Sequence, residues 1–164
     1  DVVPKAFAAL PGTLKHSIRI VQQARADKID EVRAFYAEHG FDAEVQTFFS
    51  DMPERLKAAH FLITRSGAST VAELATAGRP ALYVPYPWNR DNQQVFNANA
   101  VVTVGGGWMI EEKNLTVDAL KDALIPLLMN PDLLTRAAAA AKTVGQPEAA
   151  RLMADIVLRD LPQN

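Results

Sequence analysis

Between Thr64 and Leu74 the chain reads "TRSGASTVAEL". Four short hydroxyl side chains, a glycine, two alanines and one carboxylate crowd into a segment that opens a helix. Gly67 and Ala68 permit a tight turn and close backbone approach. The first turn of such a helix presents unpaired N–H groups with partial positive charge, suited to an anion or a carbonyl oxygen. Thr70 and Glu73 have the Thr-x-x-Glu spacing of a capping box, in which the glutamate folds back onto its own backbone. The same glutamate, turned outward, has the chemistry to accept two hydrogen bonds from a vicinal diol. Ribose is the commonest such diol, and a carboxylate is its usual reader in nucleotide-binding folds. The capping box is the plainer reading, and residue types alone leave both open.

A second polar cluster lies further on, in "PYPWNRDNQQ". Pro85 and Pro87 stiffen its start. Asn89, Arg90, Asp91 and Asn92 fit a solvated loop with Asp91 capping the next helix. Gln93 and Gln94 then place two adjacent amides just inside that helix, each with donors and an acceptor for sugar hydroxyls. Gly105 to Gly107 is no phosphate loop, since no Lys-Ser/Thr follows, and it reads as a turn. Trp88 and Trp108 offer stacking surfaces or simple packing. His16, His39 and His60 are far apart in sequence and there is no cysteine. No metal site and no cofactor are therefore expected. Neither a Ser/His/Asp set nor a carboxylate pair placed for acid–base work is present.

The elements that must position these groups alternate between two periods. "SIRIVQQ" (17–23), "AEVQTFF" (43–49), "HFLIT" (60–64) and "PALYVPYP" (80–87) read as strands. Lys28 to Gly40, with Ile29, Val32, Phe35 and Tyr36 at helical spacing, reads as a helix ending on glycine. Ser50 to Ala59 reads as a short helix capped by Ser50 or Asp51, and Ser69 to Gly78 as a helix closed by glycine. A helix and glycine turn follow over 91–107, then a strand and loop from Trp108. Helices are expected over Val117 to Met129, Pro131 to Thr143 and Glu148 to Leu161. Strands alternating with helices imply βαβ units and a parallel sheet. The runs "HFLI" and "ALYV" suit strands buried on both faces. Ligands in such folds sit beyond the carboxyl ends of the strands, which selects the loops opening at Arg65 and at Tyr86.

Composition sets the bounds. The chain has 164 residues, is 49% hydrophobic and carries a net charge of −2. That suits one domain, 1–164, with a sizeable core. No basic block suggests nucleic acid, no apolar run is long enough to span a membrane, and no signal-peptide pattern opens the chain. A cytosolic globular domain is the expectation. "DVVPKAFAAL" reads like the middle of a helix-containing segment, which suggests a cut from a longer chain.

Residues 48–98, "FFSDMPERLKAAHFLITRSGASTVAELATAGRPALYVPYPWNRDNQQVFNA", closely resemble the MurG family of glycosyltransferase family 28, the UDP-N-acetylglucosamine transferases of peptidoglycan synthesis. The motifs "RSGA-x-T-x-x-E", "G-x-P-a-[LI]-x-[VI]-P" and "D-x-Q-Q-x-x-N" carry the likeness. It implies an α/β fold: a Rossmann-like parallel sheet flanked by helices, forming the C-terminal, donor-binding half of a GT-B enzyme. It implies that Phe49, at its strand end, meets the uracil edge through its backbone. Glu73 would take the ribose hydroxyls. Thr70, with backbone groups of Ala68 and Ser69, would lie against the diphosphate or sugar. Gln93 and Gln94 would bind GlcNAc hydroxyls, and Ser66 and Gly67 would shape the loop. Arg65 matches a family residue without an assigned contact.

The same resemblance implies a UDP-GlcNAc donor and a lipid I acceptor. That acceptor would be met through an N-terminal domain outside this chain, peripheral on the cytoplasmic side of the bacterial inner membrane. The isolated domain would bind donor without catalysing. The family's "GGS" loop is not found in these residues. "HQ-[ST]-G" is here "VQQARAD", echoed only by Gln22 or Gln23, and the triple glycine replaces a pattern nearer "A-G-A". The alternatives are a family 28 enzyme using another UDP-sugar, such as UDP-galactose, and a non-catalytic nucleotide-sugar module working with a partner chain.

Overall fold

The computed structural model, which describes residues 2–88 and 91–160, alternates strand and helix between residues 19 and 109, with helices on either side of that stretch. The order is α1 (Val2–Ala8), α2 (Gly12–Lys15), β1 (Arg19–Gln23), α3 (Ile29–Glu38), β2 (Asp42–Gln46), α4 (Met52–Ala58), β3 (Leu62–Thr64), α5 (Ala68–Ala77), β4 (Ala81–Tyr83), α6 (Gln93–Val102) and β5 (Gly107–Met109). A 3-10 turn at Glu112–Asn114 then leads to α7 (Val117–Met129), α8 (Pro131–Val144) and α9 (Ala149–Asp160). Every strand pairing is parallel.

β4 sets the centre. Ala81 and Tyr83 face a cluster built with Val71, Leu74, Ala98, Val101 and Ala141, from α5, α6 and α8. Leu82 and Val84 face the opposite cluster, with Ala6 of α1, Leu10 just after it, and Leu120 and Leu124 of α7. Alternation along one strand thus feeds two layers of helices, and Ala81, Leu82 and Tyr83 are all fully buried. Every residue of this strand is apolar for that reason.

Among the described residues the parallel pairing falls into two ladders, β1–β2 and β3–β4–β5, and two details of the expected strands need correction. Ile18, at the entry to β1, and Phe7 of α1 pack against both the cluster under β4 and the one between β1, β2 and α3. β3 is therefore an edge strand. Leu62, Ile63 and Thr64 are only half-buried, although "HFLI" has the composition of a strand covered on both faces. The expected strands were also too long. β4 stops at Tyr83 because the Pro85 nitrogen cannot donate to a ladder. β2 stops at Gln46, so Phe49 lies beyond its strand rather than at its end.

Glycines seat the helices. Gly78 closes α5 at φ 63°, the left-handed geometry that glycine adopts without penalty. The triple glycine is more than a turn. A Cβ on Gly106 would lie 2.7 Å from the Cα and N of Ala141 on α8. One on Gly107 would lie 2.7 Å from the carbonyl oxygen of Ala81. These two positions let α8 and β4 approach the chain as it enters β5.

Candidate functional site

α5 begins three residues before a Thr70 cap would allow. Gly67 is its N-cap and the first helical bond runs from the Val71 N–H to the Gly67 oxygen at 3.0 Å. With Gly67 at the cap, Thr70 occupies the third helical position and Glu73 the second turn. The Glu73 carboxylate cannot reach back to the cap backbone, so the capping box does not form. Glu73 is exposed and has no hydrogen bond or ion pair among the described residues. The N–H groups of Ala68, Ser69 and Thr70 have no intrahelical acceptor and no side-chain cap, and so face outward with the helix's positive end.

The second loop is tied to the first. Ser66 is fully buried, and its hydroxyl donates to the main-chain oxygen of Gln94 at 2.8 Å. The Asn97 amide donates to the Ser66 oxygen at 3.1 Å. Gln94 turns its side-chain oxygen to the Tyr86 N–H at 2.9 Å, which closes the loop between β4 and α6. Gln93 is exposed. Asn92, at φ 49°, takes the cap position of α6 without a side-chain bond. Asp91 was expected there and lies one residue outside. Asn89 and Arg90 lie outside the described residues. Ser66, Gly67, the start of α5, Gln93 and Gln94 therefore share one rim. Glu73 stands one turn along α5.

Phe49 is brought near by a different route. α4 packs against α5. The Arg55 guanidinium of α4 covers the Phe49 ring at 4.1 Å, and the side chain is buried. Among the described residues the Phe49 N–H and C=O make no hydrogen bond within the chain, which leaves its main chain free to meet a ligand edge. Arg55 was not anticipated as a site residue. It donates to both Glu44 oxygens, at 2.8 and 2.9 Å, and to Asp51 at 2.7 Å. Asp51 does stand at the α4 cap, but its carboxylate serves this ion pair instead of the backbone. The Asp51–Arg55 spacing of four residues was a legible signal; the reach to Glu44 was not.

Hydrogen bonds from Arg55 hold the Glu44 and Asp51 carboxyls below their usual range. Folded-state values below the unfolded ones, about 4.3 and 3.9, give stability that is present above those values and lost as pH falls through the folded ones. Urea midpoints of the protein and its Arg55→Met variant should therefore differ most at neutral pH and converge towards pH 3. A gap that stays constant with pH would refute this.

The carboxyl end of β1 holds a concavity of about 330 Å³, lined by Gln22, Gln23, Arg25 and Lys28 among others. Its groups are already engaged. Gln22 accepts from the buried Tyr36 hydroxyl at 2.6 Å and Gln23 donates to the Thr47 oxygen at 2.9 Å. Arg25 pairs with Asp27 and Lys28 with Glu31. A second hollow of about 210 Å³ runs between α5 and α6, among Val71, Ala72, Asn97 and Val101. Trp88 is exposed, while Trp108 packs edge-on to Phe61 at 6.0 Å. Among the described residues no three His, Cys, Asp or Glu side chains come together to hold a metal. No described helix is long and apolar enough to cross a membrane.

Residues 1–153 match the model of the glycosyltransferase family 28 C-terminal domain. The UDP-N-acetylglucosamine--N-acetylmuramyl-(pentapeptide) pyrophosphoryl-undecaprenol N-acetylglucosamine transferase of Paramagnetospirillum magneticum is 46% identical over 162 residues, 99% of this chain and 44% of that protein. The enzyme of the same name from Rhodospirillum centenum is 48% identical over 96% of this chain and 42% of its own length. The chain thus spans about two fifths of the curated relatives it matches. Among solved structures, MurG of Acinetobacter baumannii superposes with a TM-score of 0.85 at 30% identity, over 96% of this chain and 44% of that one. The lipopolysaccharide glycosyltransferase WaaG, at 21% identity and TM-score 0.68, shares the fold.

Proposed function

Because this chain belongs to the glycosyltransferase family 28 C-terminal domains, we propose that it is the donor-binding domain of a UDP-GlcNAc transferase that converts lipid I to lipid II. The carrying observation is Glu73: an exposed carboxylate with no partner among the described residues, one turn along a helix whose start is uncapped by any side chain. Glu73 accepts the two ribose hydroxyls. The N–H groups of Ala68, Ser69 and Thr70, with the Thr70 hydroxyl, receive the diphosphate. Gln93 and Gln94 read the GlcNAc hydroxyls, and the Phe49 main chain meets the uracil edge.

In the full reaction the 4-hydroxyl of lipid-linked MurNAc attacks the anomeric carbon of GlcNAc with inversion. The bond from that carbon to the diphosphate oxygen breaks, and UDP departs with the electron pair. The hydroxyl proton passes to a base from a domain outside these residues, which also meets the lipid acceptor on the cytoplasmic face of the bacterial inner membrane. The present chain holds the donor and offsets charge growing on the diphosphate through fixed N–H dipoles.

Calorimetric titration tests this. UDP-GlcNAc should bind at one site, more tightly than UDP-galactose, with no turnover of lipid I by this chain alone. Equal affinity for the two sugars would point to another family 28 donor, and no heat with either would end the donor-site reading.

A further inference from the structure

β3 and β4 part company just after their last ladder bond, from the Val84 N–H to the Thr64 oxygen at 2.8 Å. From there β3 runs into the start of α5, and β4 into the loop that carries Gln93 and Gln94. The next side chain along β3 is Arg65, and one of its nitrogens bridges the parting chains. Arg65 Nη1 donates to the main-chain oxygens of Val84 and Pro85, both at 3.2 Å. The same nitrogen pairs with Glu112, from the 3-10 turn after β5. The guanidinium also stands over the Tyr86 ring at 5.6 Å. Three segments distant in sequence thus converge on one cation. The Tyr86 N–H in turn holds the Gln94 side-chain oxygen.

We infer that Glu112 is a positioning residue for the donor sugar. Its carboxylate keeps Arg65 laid across the exit of β4. Arg65 fixes Pro85 and Tyr86, and Tyr86 sets the orientation of the Gln94 amide. The nucleotide, held by α5 and Glu73, lies outside this chain of contacts. Glu112 therefore governs selectivity for the sugar over the bare nucleotide. This rests on the donor-site reading above.

The test compares Glu112→Ala and Glu112→Gln with the unaltered protein, using UDP-GlcNAc and UDP as probes and amide hydrogen exchange as a second readout. Loss of a half-exposed ion pair should weaken UDP-GlcNAc binding about three- to fivefold in Glu112→Ala, with UDP binding unchanged. Glu112→Gln, which retains length and one acceptor, should fall between. Exchange at the Tyr86 amide should quicken, while that of Val71 within α5 stays constant. A merely structural Glu112 would alter both ligands equally, and an equal change in either direction overturns the proposal. Should the unaltered protein bind neither ligand, the donor-site reading falls on its own. The Tyr86 amide then decides the tether, and unchanged exchange there refutes it.

Discussion

Replacing Glu73 with glutamine is expected to weaken UDP-GlcNAc binding by about tenfold to a hundredfold. A carboxylate that accepts from both ribose hydroxyls makes hydrogen bonds assisted by its charge, each worth roughly 1.5–3 kcal/mol. Glutamine keeps one acceptor and turns a donor towards the other hydroxyl. About 1.4–2.8 kcal/mol of binding should therefore go, at roughly 1.4 kcal/mol per decade. Folding should be indifferent, because Glu73 is exposed and has no partner among the described residues. Exposed substitutions of this kind stay within about 0.5 kcal/mol. Titration calorimetry beside a thermal melt separates the two effects. Lost affinity with an unchanged melt supports the ribose role. Unchanged affinity removes Glu73 from the site. Had the carboxylate capped its own helix, the melt would have suffered and the ligand would not.

The largest effect on stability should come from Gly106→Ala. The new methyl would meet the Ala141 main chain at 2.7 Å and Val101 Cγ1 at 2.8 Å. Backbone cannot swing aside as a side chain can, so α8 must shift on the sheet. Overpacking of this kind costs about 3 kcal/mol. The smaller entropy of the unfolded alanine chain returns somewhat under ~1 kcal/mol. A net loss of about 2 kcal/mol should lower the melting temperature by roughly 4–8 °C. Gly12→Ala is the control, since a Cβ there meets nothing within 4 Å, and its melt should rise by about 1–4 °C through the unfolded-state entropy alone. An unchanged melt for Gly106→Ala would show that α8 is not seated on that glycine.

The two substitutions mark what could and could not be read from the sequence. α7 was legible to its ends, since its apolar period is long and Thr116 accepts from the Ala119 N–H at 3.1 Å. The Gly78 stop was legible too, because left-handed closure is a local demand. The Thr70–Glu73 spacing matched a local motif yet misled. Spacing fixes the interval between two residues but not where the helix begins, and here Gly67 begins it, next to a buried Ser66 bonded 28 residues away. The half-burial of β3 was invisible for a related reason: a strand's composition says what it can cover, while its neighbours decide what is covered. Arg65 and Glu112 stand 47 residues apart and carry no mutual signal. For the site, the residue types suggested a polar rim, and the family resemblance supplied its membership. The ties that hold the rim together came only with the fold.

The division between the β1–β2 ladder and the β3–β4–β5 ladder has a mechanical meaning. Main-chain hydrogen bonds are directional and resist sliding. Packed side chains such as Phe7 and Ile18 resist compression but yield more readily to shear. Among the described residues no ladder crosses from one sheet to the other. The concavity at the end of β1 belongs to one block, and the helix start at Ala68 to the other. The separation between them is set by a seam of side chains rather than by main-chain hydrogen bonds.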